Sequence, residues 1–244
     1  MGAGLPALDE RRVAGAASAA LGNSACIDAD RCAGKPAPTQ IKGYGPECMT
    51  APTIIYLHGF NSSPQSVKGQ MLARAAAALA DPPCFHLPQL HHRPAQAMHD
   101  ICAWIDREAP EGRNLTLIGS SLGGFYATWL AERYGARAVL INPAIRPHED
   151  LRPFLGRQRN LYSGEEYEIT PAHFAELAAI KVPRITRPER YYLLVRTGDE
   201  LLDWREAAAF YAGAHQYVAG GGDHGWTDFG AEVASVLRFA GCGA

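Results

Sequence analysis

The chain has 244 residues, with 23 Lys and Arg against 25 Asp and Glu for a formal net charge of −2, and 47% of its residues are hydrophobic. This near-neutral balance argues against a nucleic-acid-binding protein, which usually has a basic face, and the sequence lacks the run of about 18 strongly apolar residues that a membrane span requires. Six cysteines without a C-x-x-C pair indicate neither a disulfide scaffold nor a structural zinc site, so the composition favours a globular, enzyme-like protein.

The first fifty residues differ in composition from the rest. They contain 11 Ala, 7 Gly and 4 Pro but neither Phe nor Trp, so residues 1–50 are predicted to be a poorly ordered or loosely attached extension. Arg11 and Arg12 precede an uncharged stretch, as in a signal peptide, but that stretch is mostly Ala, Gly and Ser, and two acidic residues cancel the arginines. A cytoplasmic location is therefore expected, with export as the alternative.

From Thr53 onward, short apolar runs alternate with amphipathic stretches, a pattern typical of βα units and a parallel sheet. The predicted strands are 53–57, 83–87, 114–118, 138–141, 191–195 and 215–218. The predicted helices are 67–79, a helix that begins near Pro94, 122–134, 204–211 and a last helix around 229–237. Residues 53–244 are thus expected to form an α/β domain with about six mostly parallel strands and helices on both faces.

The segment from Gly119 to Gly123 reads G-S-S-L-G and lies between a predicted strand and a predicted helix. G-x-S-x-G in this context is a nucleophile elbow, in which small neighbours allow a sharp turn that exposes the serine hydroxyl. Ser121 would then stand at a helix N-terminus, where free N–H groups favour a developing oxyanion. The alternative is a glycine-rich helix start with serine as N-cap, but the flanking strand and helix favour a nucleophile.

A serine nucleophile needs a base and an orienting acid, and both are predicted in loops that follow the last two strands. Of nine histidines, His224 lies in a glycine-rich loop after the last strand. Asp199 is the first carboxylate after the preceding strand, whereas Asp203 is placed to cap a helix and Glu200 is expected to point outward. The chain order Ser121, Asp199, His224 is that of α/β-hydrolases.

An oxyanion would need two backbone N–H donors. One is predicted at Leu122, directly after the nucleophile, and the other at Phe60, in the loop after the first strand. Gly59 allows that loop to turn. His58 is predicted to brace the loop by hydrogen bonds rather than to act as a base.

These motifs resemble the α/β-hydrolase superfamily from Thr53 to the C-terminus and, more narrowly, the YqiA-type esterases. The segments that carry the narrower resemblance are 56–64, 68–69, 119–127, 141–144, 160–165, 197–200 and 222–224. The resemblance implies hydrolysis of a small-molecule ester or acyl thioester, with Ser121, Asp199 and His224 on the family's triad positions. It implies no cofactor or metal. The N-terminal extension departs from such esterases, which begin close to the first strand.

The charged, proline-rich segment 143–188 interrupts the alternation of strands and helices, and only one short helix is predicted in it, around 172–179. Since hydrolases carry caps at this position, the insertion is expected to cover the site. Its arginines could meet an anionic substrate such as an acyl-CoA, although solvated surface is the favoured interpretation; they are Arg146, Arg152, Arg157 and Arg159.

The prediction is therefore a serine carboxylesterase that works through an acyl-enzyme. The alternatives are a thioesterase acting on acyl-CoA or an acyl carrier, and a non-catalytic binding module with a hydrolase fold. The sequence leaves the acyl chain length, the substrate and the oligomeric state open.

Overall fold

The computed structural model describes residues 51–109 and 114–243. The predicted extension, residues 1–50, lies outside the described residues. The strands are β1 (Thr53–Leu57), β2 (Cys84–His86), β3 (Leu115–Ser120), β4 (Arg137–Ile141), β5 (Gly156–Arg159), β6 (Glu166–Ile169), β7 (Tyr191–Arg196) and β8 (His215–Ala219). Six of them form one parallel sheet in the order β2-β1-β3-β4-β7-β8, which confirms the predicted α/β fold.

Helices cover both faces of this sheet. They are α1 (Val67–Ala77), α2 (Pro94–Glu108), α3 (Leu122–Tyr134), α4 (Pro147–Asp150), α5 (Pro171–Ala179), α6 (Trp204–Phe210) and α7 (Val233–Phe239). Side chains of α2, α3 and α6 pack with one face of the central strands, and side chains of α1 and α7 pack with the other. In β1, Ile55 and Leu57 belong to the first layer and Ile54 and Tyr56 to the second, as the period-two alternation of a strand requires.

The parallel register aligns the carboxyl ends of the central strands. Leu57 of β1 pairs with Gly119 of β3, which pairs in turn with Leu140 of β4. The loops after β1, β3, β4, β7 and β8 therefore leave the sheet at one edge, where open α/β sheets bind ligands.

The insertion is more structured than the sequence predicts. Besides the expected helix, found as α5, it contains the short helix α4 and an antiparallel hairpin, β5–β6. Prediction missed the hairpin because its four-residue strands contain no apolar run: exposed charged residues alternate with half-buried ones, as in Arg157, Gln158 and Arg159. We call β5, β6 and the turn between them the insertion hairpin.

Candidate active site

Ser121 lies in a strained turn between β3 and α3, with φ 56° and ψ −123°. Such a conformation is unfavourable for any residue with a Cβ and persists only when its surroundings enforce it. The surroundings are close: a Cβ on Gly119 would lie 2.2 Å from the Gly123 carbonyl oxygen, and a Cβ on Gly123 would lie 2.0 Å from the Leu57 oxygen. A sharp strand-to-helix turn of this kind is what the predicted nucleophile elbow requires.

The backbone of Ser121 is fixed by hydrogen bonds on both sides. Its N–H donates to the Ile141 carbonyl at 3.0 Å, and its own carbonyl accepts from Gly124 at 2.9 Å and Ala144 at 3.1 Å. Two of these partners lie at or just beyond the end of β4, so the serine turn is anchored to the neighbouring strand as well as to its own helix.

Asp199 and His224 form a hydrogen-bonded pair at the same sheet edge. The Asp199 Oδ2 accepts from His224 Nδ1 at 2.8 Å, and its Oδ1 accepts from the N–H groups of Leu201 and Leu202, both at 2.9 Å. The carboxylate is only 2% exposed and the imidazole 16%. Because an ionised carboxylate can only accept, Nδ1 carries the proton and Nε2 is left as the basic nitrogen.

The two neighbouring carboxylates have other tasks. Asp203 caps α6 by accepting from the Arg205 N–H at 3.0 Å, as predicted. Glu200 is exposed, as expected, and its Oε2 also accepts from the backbone N–H of His224 at 3.0 Å. The N–H of a loop residue has no partner in a neighbouring strand, and a carboxylate can accept its hydrogen bond. Glu200 thereby holds the loop after β8 that contains His224, which we call the histidine loop.

The serine and the Asp–His pair follow strands that end at the same sheet edge, and among the described residues no hydrogen bond joins Ser121 Oγ to His224. The link runs through β4: Ser121 N–H donates to Ile141, and the next residue, Asn142, donates from Nδ2 to the His224 carbonyl at 3.0 Å.

Asn142 is a buried connector that the sequence analysis did not assign a role. Its Nδ2 also donates to the Asp223 carbonyl at 3.3 Å, and its Oδ1 accepts from the Arg196 N–H, at the end of β7, at 2.9 Å. Asn142 has a φ of 42°, in the left-handed region that asparagine tolerates better than most residues. One amide thus ties the end of β7 to the histidine loop.

Lys68 is a second side chain that holds the same loop. Its Nζ donates to the Gly225 carbonyl, the next after the two that Asn142 binds. Burial lowers the pKa of this lysine to about 8, while the nearby carboxylates of Asp223 and Asp199 oppose that change. Three consecutive carbonyls, 223–225, are therefore held by side chains from other elements.

The loop after β1 lies against Ser121. A Cβ on Gly59 would stand 3.2 Å from the Cβ of Ser121, closer than an ordinary contact, so a side chain at position 59 would press on the serine turn. The N–H groups of Phe60 and Leu122 donate to no acceptor among the described residues. Both predicted oxyanion donors are therefore free to bind a ligand oxygen.

His58 is hydrogen-bonded at both ring nitrogens. Its Nε2 accepts from the Leu90 N–H at 3.1 Å, so Nδ1 carries the proton and donates to the Gly59 carbonyl at 2.9 Å. Burial lowers the pKa of this imidazole to about 4. Held in this way, His58 has no free nitrogen to serve as a base, and its hydrogen bonds are compatible with the predicted bracing of the loop that contains Phe60.

Other histidines contact rings elsewhere in the domain. His86 stacks on Trp104, the rings of His91 and His92 are tilted with centroids 4.4 Å apart, and His92 hydrogen-bonds to His173 at 3.3 Å. Within residues 51–109 and 114–243, no group of three or more His, Cys, Asp or Glu is arranged to hold a metal ion. Over the same ranges, every helix is too short or too polar to cross a bilayer.

Comparison with solved structures identifies the fold. A presumed hydrolase from Agrobacterium vitis S4 is 21% identical, with 81% of this chain and 90% of that chain covered and a TM-score of 0.63. One of the two metagenome-derived lipolytic enzymes LipS and LipT is 20% identical, with 77% and 92% covered and a TM-score of 0.57. An esterase domain from Rhodothermus marinus is 20% identical, with 77% and 86% covered and a TM-score of 0.56. The fold is that of the α/β-hydrolases.

A family model supplies the closer relationship. The model of an uncharacterised protein family, UPF0227, matches residues 53–241, the part of the chain in which the sequence motifs occur. The match bears out the resemblance to the YqiA-type branch of the superfamily. The chain therefore belongs to the family UPF0227.

Proposed function

We propose that the protein is a serine hydrolase that cleaves carboxylic esters through an acyl-enzyme on Ser121. The observation that carries this proposal is the strained serine turn at the same sheet edge as a hydrogen-bonded Asp199–His224 pair. A serine with an ordinary structural role has no need of a left-handed φ, and a buried carboxylate that orients an imidazole is what a general base requires.

In the proposed reaction, His224 Nε2 takes the hydroxyl proton as Ser121 Oγ attacks the ester carbonyl. Asp199 stabilises the imidazolium through Nδ1, and the N–H groups of Phe60 and Leu122 bind the oxyanion. The tetrahedral intermediate collapses, His224 gives its proton to the leaving alcohol, and the acyl group stays on Ser121. Water, activated by the same imidazole, then releases the acid.

The charges on the insertion favour an uncharged ester over an acyl-CoA. Arg146 hydrogen-bonds to Glu149 and Glu206, so its charge is already paired. Two further arginines of β5 lie directly opposite glutamates of β6; the pairs are Arg157 with Glu168 and Arg159 with Glu166. A phosphate-rich carrier would have to compete with these carboxylates. A screen of p-nitrophenyl esters and acyl-CoAs of graded chain length tests this preference.

The nucleophile is tested by Ser121→Ala, with the neighbouring Ser120→Ala as the matched control. Loss of the attacking oxygen should lower kcat roughly a million-fold, by analogy with the subtilisin serine. A fluorophosphonate probe should add one label to the wild-type chain and to Ser120→Ala, and none to Ser121→Ala. Labelling at another serine, or turnover that survives Ser121→Ala, would refute the assignment and favour a non-catalytic module.

A further inference from the structure

The insertion hairpin binds one side chain, Asn61, of the loop after β1; we call residues 58–62 the oxyanion loop. Gln158 of β5 and Tyr167 of β6 are cross-strand partners in the hairpin. The Tyr167 hydroxyl donates to Asn61 Oδ1, and Asn61 Nδ2 donates to Gln158 Oε1 at 3.4 Å. The oxygen and the nitrogen of the Asn61 side-chain amide are thus each hydrogen-bonded to a residue about a hundred positions further along the chain.

Backbone groups strengthen the same contact. The Leu161 N–H, in the hairpin turn, donates to the Asn61 carbonyl at 3.2 Å, and Asn160 Nδ2 donates to the Ser62 carbonyl at 2.9 Å. The ring of Phe60 meets the ring of Phe154 edge-on, with centroids 5.4 Å apart. The insertion is therefore bonded to the residues that follow Gly59 in the loop, and does more than shield them.

Asn61 is also the residue at which the loop is strained. Its φ is 51°, and it directly follows Phe60, whose N–H faces no acceptor among the described residues. Left-handed backbone at a residue other than glycine costs free energy, so it relaxes unless other contacts hold it. The contacts that hold Asn61 come from the insertion hairpin.

We propose that the insertion hairpin sets the geometry of the oxyanion hole, with Tyr167 and Asn61 as positioning residues for the Phe60 N–H. The inference rests on the proposed function, since it concerns the donor that would stabilise the oxyanion. Two supports then hold the Phe60 loop: Leu90, which hydrogen-bonds to His58, and Tyr167 of the insertion, which hydrogen-bonds to Asn61. The insertion would thereby act on the rate of the chemical step as well as on the choice of acyl chain.

The test is Tyr167→Phe in the full-length chain, with p-nitrophenyl acetate as a substrate whose acyl group is too short to depend on the insertion for binding. The variant loses only the hydroxyl bond to Asn61, while the ring keeps its stacking on His92, 4.6 Å away. Removing an oxyanion donor altogether costs about 10²–10³ in kcat, so misplacing one should lower kcat roughly tenfold with little change in KM.

A second readout separates positioning from general damage. A trifluoromethyl ketone adds to the serine and places its oxyanion in the hole, so its inhibition constant should rise roughly tenfold, in step with the loss of kcat. Active-site titration with a fluorophosphonate corrects both numbers for the fraction of folded enzyme. Asn61→Asp, which keeps the acceptor for Tyr167 and loses the donor to Gln158, should show a smaller loss of the same kind.

The matched control is Glu168→Gln, on the outer face of the same strand, which should leave kcat and the inhibition constant at the wild-type values. Tyr167→Phe with wild-type kcat and inhibition constant would overturn the inference and leave the proposed function standing. A wild-type chain that neither hydrolyses the ester nor reacts at Ser121 would overturn the proposed function, and the inference with it.

Discussion

At the scale of single residues, two aspartates that are close in sequence make different contacts in the structure. Asp199 is buried against His224, whereas Asp203 caps a helix at the surface. Asp199→Asn should lower kcat by about 10⁴, because an amide favours the wrong imidazole tautomer. Asp203→Asn should leave kcat almost unchanged, because asparagine caps helices about as well as aspartate. Steady-state kinetics on both variants decide between them, and the reverse ranking would move the acid to Asp203.

His58 gives a pH dependence of stability whose sign follows from its burial. Its pKa is about 4 in the folded chain against about 6.5 when exposed. The unfolded chain therefore binds a proton in this range and the folded chain does not, so the stabilisation is complete above about pH 6.5 and is lost as the pH falls toward 4. The loss approaches about 3 kcal/mol.

Urea unfolding from about pH 7 to about pH 4 measures this effect. His58→Gln should reduce the slope over that interval and leave the part due to His86, whose pKa burial also lowers to about 4. His99→Gln, on the exposed side of α2, is the control and should leave the slope unchanged. Equal slopes for wild type and His58→Gln would show that His58 is not held neutral by the fold.

The residues that the sequence could indicate are those whose type and local context already specify a chemistry. Ser121 lies in a motif, and Asp199 and His224 follow strand ends. Asn142 and Asn61 have no such local signature, because their roles arise from hydrogen bonds to residues about eighty or a hundred positions away. Their positive φ values offer a retrospective signal, since asparagine tolerates left-handed backbone better than most residues.

At the scale of secondary-structure elements, the approach of α3 to β1 depends on Gly123. A Cβ there would lie 2.0 Å from the Leu57 oxygen and 2.7 Å from the His58 oxygen, and neither backbone atom can rotate aside. Gly123→Ala should therefore cost about 3 kcal/mol or more in stability and displace the serine turn.

Gly220→Ala is the control, since a Cβ there would meet nothing within 4 Å; its stability should stay within about 0.5 kcal/mol of wild type. Chemical denaturation and fluorophosphonate labelling measure the two consequences. A stable, fully labelled Gly123→Ala would mean that the helix can move away from β1 without harm to the site.

The sheet strands were predictable because they are short apolar runs bounded by turn residues, and the structure places them almost where the sequence does. The insertion hairpin was not, since its two strands gain stability from each other and from the oxyanion loop rather than from the core. The alternation of exposed and half-buried residues at Arg157, Gln158 and Arg159 covers too few positions to distinguish a strand from a loop. These residues form two strands because of their contacts with each other and with the loop after β1, which the local sequence does not reveal.

At the scale of the whole molecule, the functional unit is expected to begin at Thr53, where β1 and the family match both start. Deleting residues 1–50 should leave kcat/KM nearly unchanged, because no residue of the proposed site lies in that segment.

Replacing residues 157–166 by a Gly/Ser linker should instead change chain-length preference and also slow acylation by a short ester, since Gln158 and the turn that contacts Asn61 are removed. Kinetics with a short and a long acyl ester test both variants. Loss of activity on N-terminal deletion alone would show that the domain begins earlier.

The strand order β2-β1-β3-β4-β7-β8 also determines the order in which the proposed site residues become positioned in a growing chain. The first four strands pair among themselves, so the turn that contains Ser121 has its own partners as soon as β4 has left the ribosome. The aspartate and the histidine follow β7 and β8, which are synthesised only after the whole insertion. Under the proposed function, a nascent chain that ends before Tyr191 would carry the nucleophile without its base, and we expect no ester hydrolysis until the last two strands have joined the sheet.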